Sequence, residues 1–205
     1  MIDIQTIQAA FSAISRRMTE NRSYLIELDA QNGDGDLGIS MDTGFKAVAA
    51  YLQNAEEADL GRLFLKASKV FNEASPSSLG TILSFALMGI AKSLKGKGSA
   101  QVDELVDAMD AGVRLVMEKA GSKPGEKTIL DALCPALEAL KASAGEEVKA
   151  RFDKAAQAAA QGSESTRRMR SVHGRAAYYG DKSIGLLDGG SVVGKLIFEA
   201  IAQSL

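Results

Sequence analysis

Residues 28 to 38 read Leu28-Asp29-Ala30-Gln31-Asn32-Gly33-Asp34-Gly35-Asp36-Leu37-Gly38, three aspartates and three glycines in one short stretch. Carboxylates held this close repel one another, and a divalent cation is the simplest counter-charge. The glycines let the backbone turn tightly enough to bring Asp29, Asp34 and Asp36 together. A solvated acidic turn is the plain alternative, since Asp and Gly are common turn residues. A calcium loop of the EF-hand type fails on its register. Counting from Asn32 puts Asp34 and Asp36 at the third and fifth positions, but the obligatory glycine then falls on Leu37 and the closing glutamate on Thr43. Magnesium asks for fewer protein ligands, because water and phosphate oxygens complete its octahedron. Gly38-Ile39-Ser40-Met41 opens the next helix, and the free N–H groups of a helix start attract anions. Metal beside helix start makes a cradle for a polyphosphate.

Helices must position this loop. Ile4, Ile7, Phe11, Ile14 and Met18 recur at three- and four-residue steps, as do Leu60, Leu63, Phe64, Ala67 and Phe71. Further stripes run through Leu79 to Ile90, Val102 to Val116, Ile129 to Leu140, Val148 to Ala159 and Val192 to Ile201. No segment alternates apolar and polar residues, so no strand is predicted. About eight helices in one all-α domain spanning residues 1–205 follow. Thr128 and Asp131 have capping-box spacing, and Pro124-Gly125 breaks the preceding helix. Gly96 to Ser99 and Gly162 to Thr166 read as turns, the second before a short helix.

The formal net charge is −2 with 5% aromatic residues, which excludes a broad nucleic-acid surface. One cysteine, Cys134, excludes an internal disulfide and fits a reducing compartment. It lies on an apolar stripe and reads as core. The first residues lack the basic start and apolar run of a signal peptide. The longest apolar run, Ile82 to Ala91, is interrupted by Ser84 and Gly89 and is too short to span a membrane. A cytoplasmic location is the resulting expectation.

The run Leu28-Asp29-x-x-x-Gly33-Asp34-Gly35-Asp36-x-Gly38-x-x-Met41-x-x-Gly44-Phe45 resembles the signature of the dihydroxyacetone kinase L subunit. The likeness continues through Pro124-Gly125-Glu126-Lys127-Thr128 with Asp131 and Pro135. It returns at Gly174-Arg175-Ala176-x-Tyr178-x-Gly180-x-x-Ser183-Ile184-Gly185 and at Asp188-x-Gly190. The resemblance implies a barrel of antiparallel helices with ADP or ATP across one end. It implies that Asp29, Asp34 and Asp36 hold two magnesium ions and so carry the catalysis. Phosphate contacts would come from Leu37, Gly38, Ile39 and Ser40, and from Ala74, Ser75, Ser77 and Ser78. The base and ribose would meet Gly121, Thr128 and Ile129. Arg175, Asp188, Gly189 and Gly190 would complete the nucleotide site.

Three departures from the family pattern stand out. Asn72-Glu73-Ala74-Ser75-Pro76 replaces a glycine-rich stretch, Leu37 stands where histidine is frequent, and Gly189 replaces a proline. The chain offers no group to capture a ketone, which in the family is the task of a separate K subunit or domain. The resemblance thus implies half of a ketose kinase, with the K subunit as partner. Its phosphate would come from ATP or from an M subunit of a phosphotransferase system, and it is compatible with a homodimer. The rival is a non-catalytic regulatory module that binds nucleotide or metal. Tyr178 and Tyr179 are expected to pack beside the nucleotide end of the bundle. His173, the sole histidine, stands just before Gly174-Arg175, and a lone titratable group without a partner is weak evidence for a catalytic role.

Overall fold

The computed structural model describes residues 1–205, and they form nine α-helices and two short 3-10 segments with no sheet. The helices are α1 (Ile4–Glu20), α2 (Arg22–Asp29), α3 (Leu37–Gln53), α4 (Leu60–Ala74), α5 (Ser78–Ser93), α6 (Val102–Ala120), α7 (Leu130–Ala142), α8 (Val148–Ser165) and α9 (Gly189–Ser204). The 3-10 segments, Thr166–Arg168 and Arg175–Ser183, lie between α8 and α9. Extended pairing is confined to one bridge between Ile2 and Ala100. No helix is long and apolar enough to cross a membrane.

Eight long helices close a ring. Consecutive helices from α3 to α9 pack side by side, and α1 closes the circle against α3 and α9. The short α2 lies over the start of α3 and also touches α9. The amphipathic stripes therefore all face inward, and their side chains form one apolar core. Phe45 and Phe71 meet edge to face with centroids 4.8 Å apart, the geometry that ring quadrupoles favour. An apolar cavity of about 140 Å³ remains inside the barrel, lined by residues such as Phe11, Phe64, Leu87, Met109, Leu137 and Ile197.

Local chemistry sets the helix ends. Asp3, Asp59, Ser77 and Asp188 each accept a backbone N–H from the first turn that follows. At the start of α6, Glu104 Oε2 reaches back to accept Gln101 N–H at 2.7 Å. Gly121 closes α6 in the left-handed conformation, where glycine carries no steric penalty.

Two features differ from the sequence expectation. Residues 162 to 165 continue α8 rather than forming a turn. A Cβ at Gly162 would stand 2.0 Å from the carbonyl oxygen of Asp131. Pro135, inside α7, has no N–H to offer that carbonyl. Gly162 is therefore a site of close helix approach and not a breaker. The second difference is α2, whose eight residues bury only Leu25 and Leu28 and are too few to show a periodic stripe.

The candidate metal and phosphate site

The aspartate loop joins α2 to α3. Asp29 is the last residue of α2, and Asp36 immediately precedes α3. Oxygens of Asp29, Asp34 and Asp36 lie within 4.8 Å of one another. Asp29 organises the turn. Its Oδ2 accepts the N–H groups of Gly35 at 2.8 Å and Asp36 at 3.1 Å. Its backbone carbonyl accepts Gly33 N–H at 2.6 Å. A side chain at Gly33 would meet Asp29 Oδ1 at 2.2 Å, and Gly35 has φ +77°. Both glycines are thus required for the carboxylates to converge.

Burial and the negative charges of Asp34 and Asp29 push the Asp36 carboxyl above the usual aspartate range. The site carries more negative charge than the protein alone offsets. Arg175 supplies one counter-charge, with Nη2 3.0 Å from Asp34 Oδ2.

The start of α3 is the second half of the site. Asp36 occupies its cap position, yet its side chain makes no capping hydrogen bond. The carboxylate belongs to the cluster instead. The N–H groups of Leu37, Gly38 and Ile39 precede the first helical bond, which Ser40 N–H donates to Asp36. Gly38 lets α2 lie directly against α3, since a Cβ there would stand 2.1 Å from the Arg22 carbonyl oxygen. Three hard oxygen donors beside free amides fit Mg²⁺ and an anionic group it shares. Leu37 itself is buried, and a Cβ at Gly189 would meet its side chain at 2.6 Å. Its amide is what it can offer, and the same contact brings the start of α9 beside that of α3.

Asp188 caps α9 through Ser191 N–H at 2.6 Å. Burial first, then the charges of Asp131 and Asp29, push its carboxyl up to about 7. Gly190 and Gly194 leave room for Ile129. Ile129 is therefore buried against α9.

Ser75 also faces inward. It is fully buried, and its carbonyl accepts Ser77 N–H at 2.8 Å. It builds the α4–α5 turn, packed near Gly44 and Gly80. Ala74 is half-buried, Ser77 caps Gly80, and Ser78 is exposed. No hydrogen bond joins this turn to the aspartates. Gly121 is likewise exposed, with open space around it. Thr128 N–H donates to Asp131 Oδ2 at 2.8 Å, while Thr128 Oγ1 accepts Leu130 N–H. Asp131 also accepts Gly125 N–H at 2.6 Å, so this buried carboxylate fixes the whole 125–128 turn.

Two residues of that turn had drawn no role from the sequence. Glu126 Oε2 lies 2.6 Å from His173 Nε2, so the lone histidine has a carboxylate partner. The His173 contact and Lys123 N–H hold the Glu126 carboxyl below its usual range. Lys127 is buried, with its ammonium directed at backbone carbonyls. Tyr178 and Tyr179 are both exposed. The Cys134 thiol is pushed up to about 11, mainly by burial, and is no nucleophile.

Comparison with known proteins agrees with this geometry. Residues 31–203 match the model of the DAK2 domain. The chain is 30% identical over 188 residues to the ADP-binding subunit DhaL of a PEP-dependent dihydroxyacetone kinase from Listeria innocua, covering 92% of this chain and 90% of that one. It is 27% identical to an L-erythrulose 1-kinase from Mycolicibacterium smegmatis over 98% of its length, but spans only 36% of that protein. The native dihydroxyacetone kinase of C. freundii superposes with a TM-score of 0.79 at 22% identity, over all of this chain and 36% of that one. With the motif blocks in order, an all-helical ring and the aspartates at the head of α3, the chain belongs to the DAK2 domain family.

Proposed function

We propose that the chain is the nucleotide-binding, phosphoryl-transferring subunit of a dihydroxyacetone or related ketose kinase, working with a separate K subunit that holds the substrate. The observation that carries this reading is the convergence of Asp29, Asp34 and Asp36 beside an uncapped helix start. Those carboxylates would hold Mg²⁺, as two ions by family resemblance. Bound there, the metal would offset the charge that develops on phosphoryl transfer. The amides of Leu37, Gly38 and Ile39 bind phosphate oxygens, with Ser40 following on the same turn. Arg175 adds a guanidinium, whose fork of donors suits phosphate as well as carboxylate. Ser77, Ser78, Gly121, Thr128 and Gly190 border the rest of the nucleotide.

Relatives give this reading its direction. The Listeria protein is named an ADP-binding subunit. A second C. freundii structure contains AMP-PNP and Mg²⁺. The phosphate donor is ATP, or an M-subunit protein that recharges a resident ADP. A cytoplasmic location and a homodimer are compatible with this reading.

Calorimetry with Mg-ADP tests the site. Binding that requires Mg²⁺ and is lost on chelation supports it, and no binding under either condition sinks it. Reconstitution with a K subunit then separates an enzyme from a regulatory module. Phosphorylation of dihydroxyacetone or erythrulose, from ATP or from a phosphotransferase donor, is the deciding outcome.

A further inference from the structure

The segment from Met169 to Leu187 carries Arg175 yet has almost no core of its own. Ser171, Ser183 and Leu187 are its buried residues. Its closure depends on Lys127, which belongs to the turn before α7. Lys127 is the one non-glycine residue with left-handed backbone, at φ +60°. That conformation is uncommon for a lysine, and such outliers persist where the surroundings over-determine them. The side chain is 3% exposed. Its Nζ donates to the carbonyl oxygens of Met169 at 3.2 Å, Ser183 at 2.6 Å and Leu186 at 2.6 Å.

Those carbonyls come from the two ends of the loop, so one ammonium gathers its neck. Asp188, the opposite charge near it, acts on Lys127 through space. Glu126, the preceding residue, holds the rising limb through His173. Two residues beyond His173, Arg175 reaches Asp34. The two turns are thus fastened at consecutive residues on one side and deliver a cation to the metal cluster on the other.

We propose that Lys127 is a positioning residue: it cinches the neck of the 169–187 loop and so sets where the Arg175 guanidinium stands over the aspartates. An apolar side chain there has no donors for these carbonyls; Ser183 O would keep only the longer bond from Leu186 N–H, and those of Met169 and Leu186 would lose the ammonium that draws the neck together. The loop would then move as a unit, and Arg175 with it. The phosphate consequence rests on the nucleotide reading above; the closure of the loop does not.

The test has an arm for each. Lys127→Met keeps an unbranched chain of similar reach and removes the ammonium. In the full-length chain without nucleotide or metal, amides of residues 170–186 should exchange about tenfold faster or more, while α4 and α5 stay protected. His173→Ala releases the other fastening and should give a smaller increase in the same loop, which keeps the proposal testable if Lys127→Met does not fold. Unchanged loop exchange in both variants overturns it. In the second arm, Lys127→Met should weaken Mg-ADP binding about tenfold in the wild-type background and less than about twofold in an Arg175→Ala background. Equal losses in both backgrounds overturn the positioning role, since Lys127 would then not act through Arg175. Wild-type protein that binds no Mg-ADP overturns the nucleotide reading, while the exchange arm still decides the closure.

Discussion

Arg175 Nη2 stands 3.0 Å from Asp34 Oδ2, so a guanidinium already faces the place where the protein concentrates negative charge. The pair is well exposed on the Arg175 side. Such a pair adds little to stability but fixes where a cation stands.

Arg175→Ala separates those two roles. Denaturant unfolding of the metal-free protein should change by less than about 1 kcal/mol, the usual limit for an exposed pair. Mg-ADP affinity should fall by about tenfold or more, because a charged hydrogen bond to phosphate is lost. A large stability loss with unchanged affinity would reverse the assignment.

Asp36→Asn acts on the metal. The raised Asp36 carboxyl shows that its ionised form is disfavoured among its neighbours. Near neutral pH the metal-free variant should melt at or slightly above the wild-type temperature, by no more than about 1 kcal/mol of stability. Stabilisation by Mg²⁺ with ADP should largely vanish. Thermal scans with and without ligand read both effects.

Asp188 carries a pH signature. Its folded carboxyl titrates at about 7, well above the ordinary 3.8. Protonation therefore favours the folded state. That contribution is fully present below about pH 4 and is lost as pH rises through about 7. Asn keeps the cap on Ser191 but cannot ionise. Asp188→Asn should thus gain on wild type as pH rises from about 4.5 to about 8, by on the order of 2 kcal/mol. Partial exposure of the carboxyl keeps the gap below the full value of the shift. A pH-independent difference would contradict the burial argument.

Gly38→Ala should be costly despite its size. Its methyl would meet the Arg22 carbonyl at 2.1 Å and the Ile26 side chain at 2.9 Å. Overpacking of this kind costs about 1–3 kcal/mol, and α2 must lift with Asp29 at its end. Both unfolding free energy and Mg²⁺ affinity should drop together.

The helices were legible because α1 and α4 to α9 each bury a long apolar face at helical spacing. The aspartates were legible because charge repulsion makes their spacing improbable without a cation. Gly162 misled because a glycine can mark either a break or a close approach, and the Asp131 carbonyl that decides between them is distant in sequence. Adjacency to a binding motif does not reveal whether a side chain turns toward solvent or core, and the burial of Ile129 and Ser75 is visible only in the fold. Lys127 stood in a matched motif, but its role was not legible, because its partners are backbone carbonyls of Met169, Ser183 and Leu186. Backbone acceptors leave no trace in residue type.

The hollow inside the barrel has a mechanical consequence. Eight helices around one axis leave about 140 Å³ that their own side chains do not fill. Unfolding eliminates that space, so the denatured chain with its solvent occupies less volume than the folded one. Hydrostatic pressure should therefore unfold the ring more readily than a densely filled bundle of equal thermal stability. An apolar solute that occupies the space should oppose the compression.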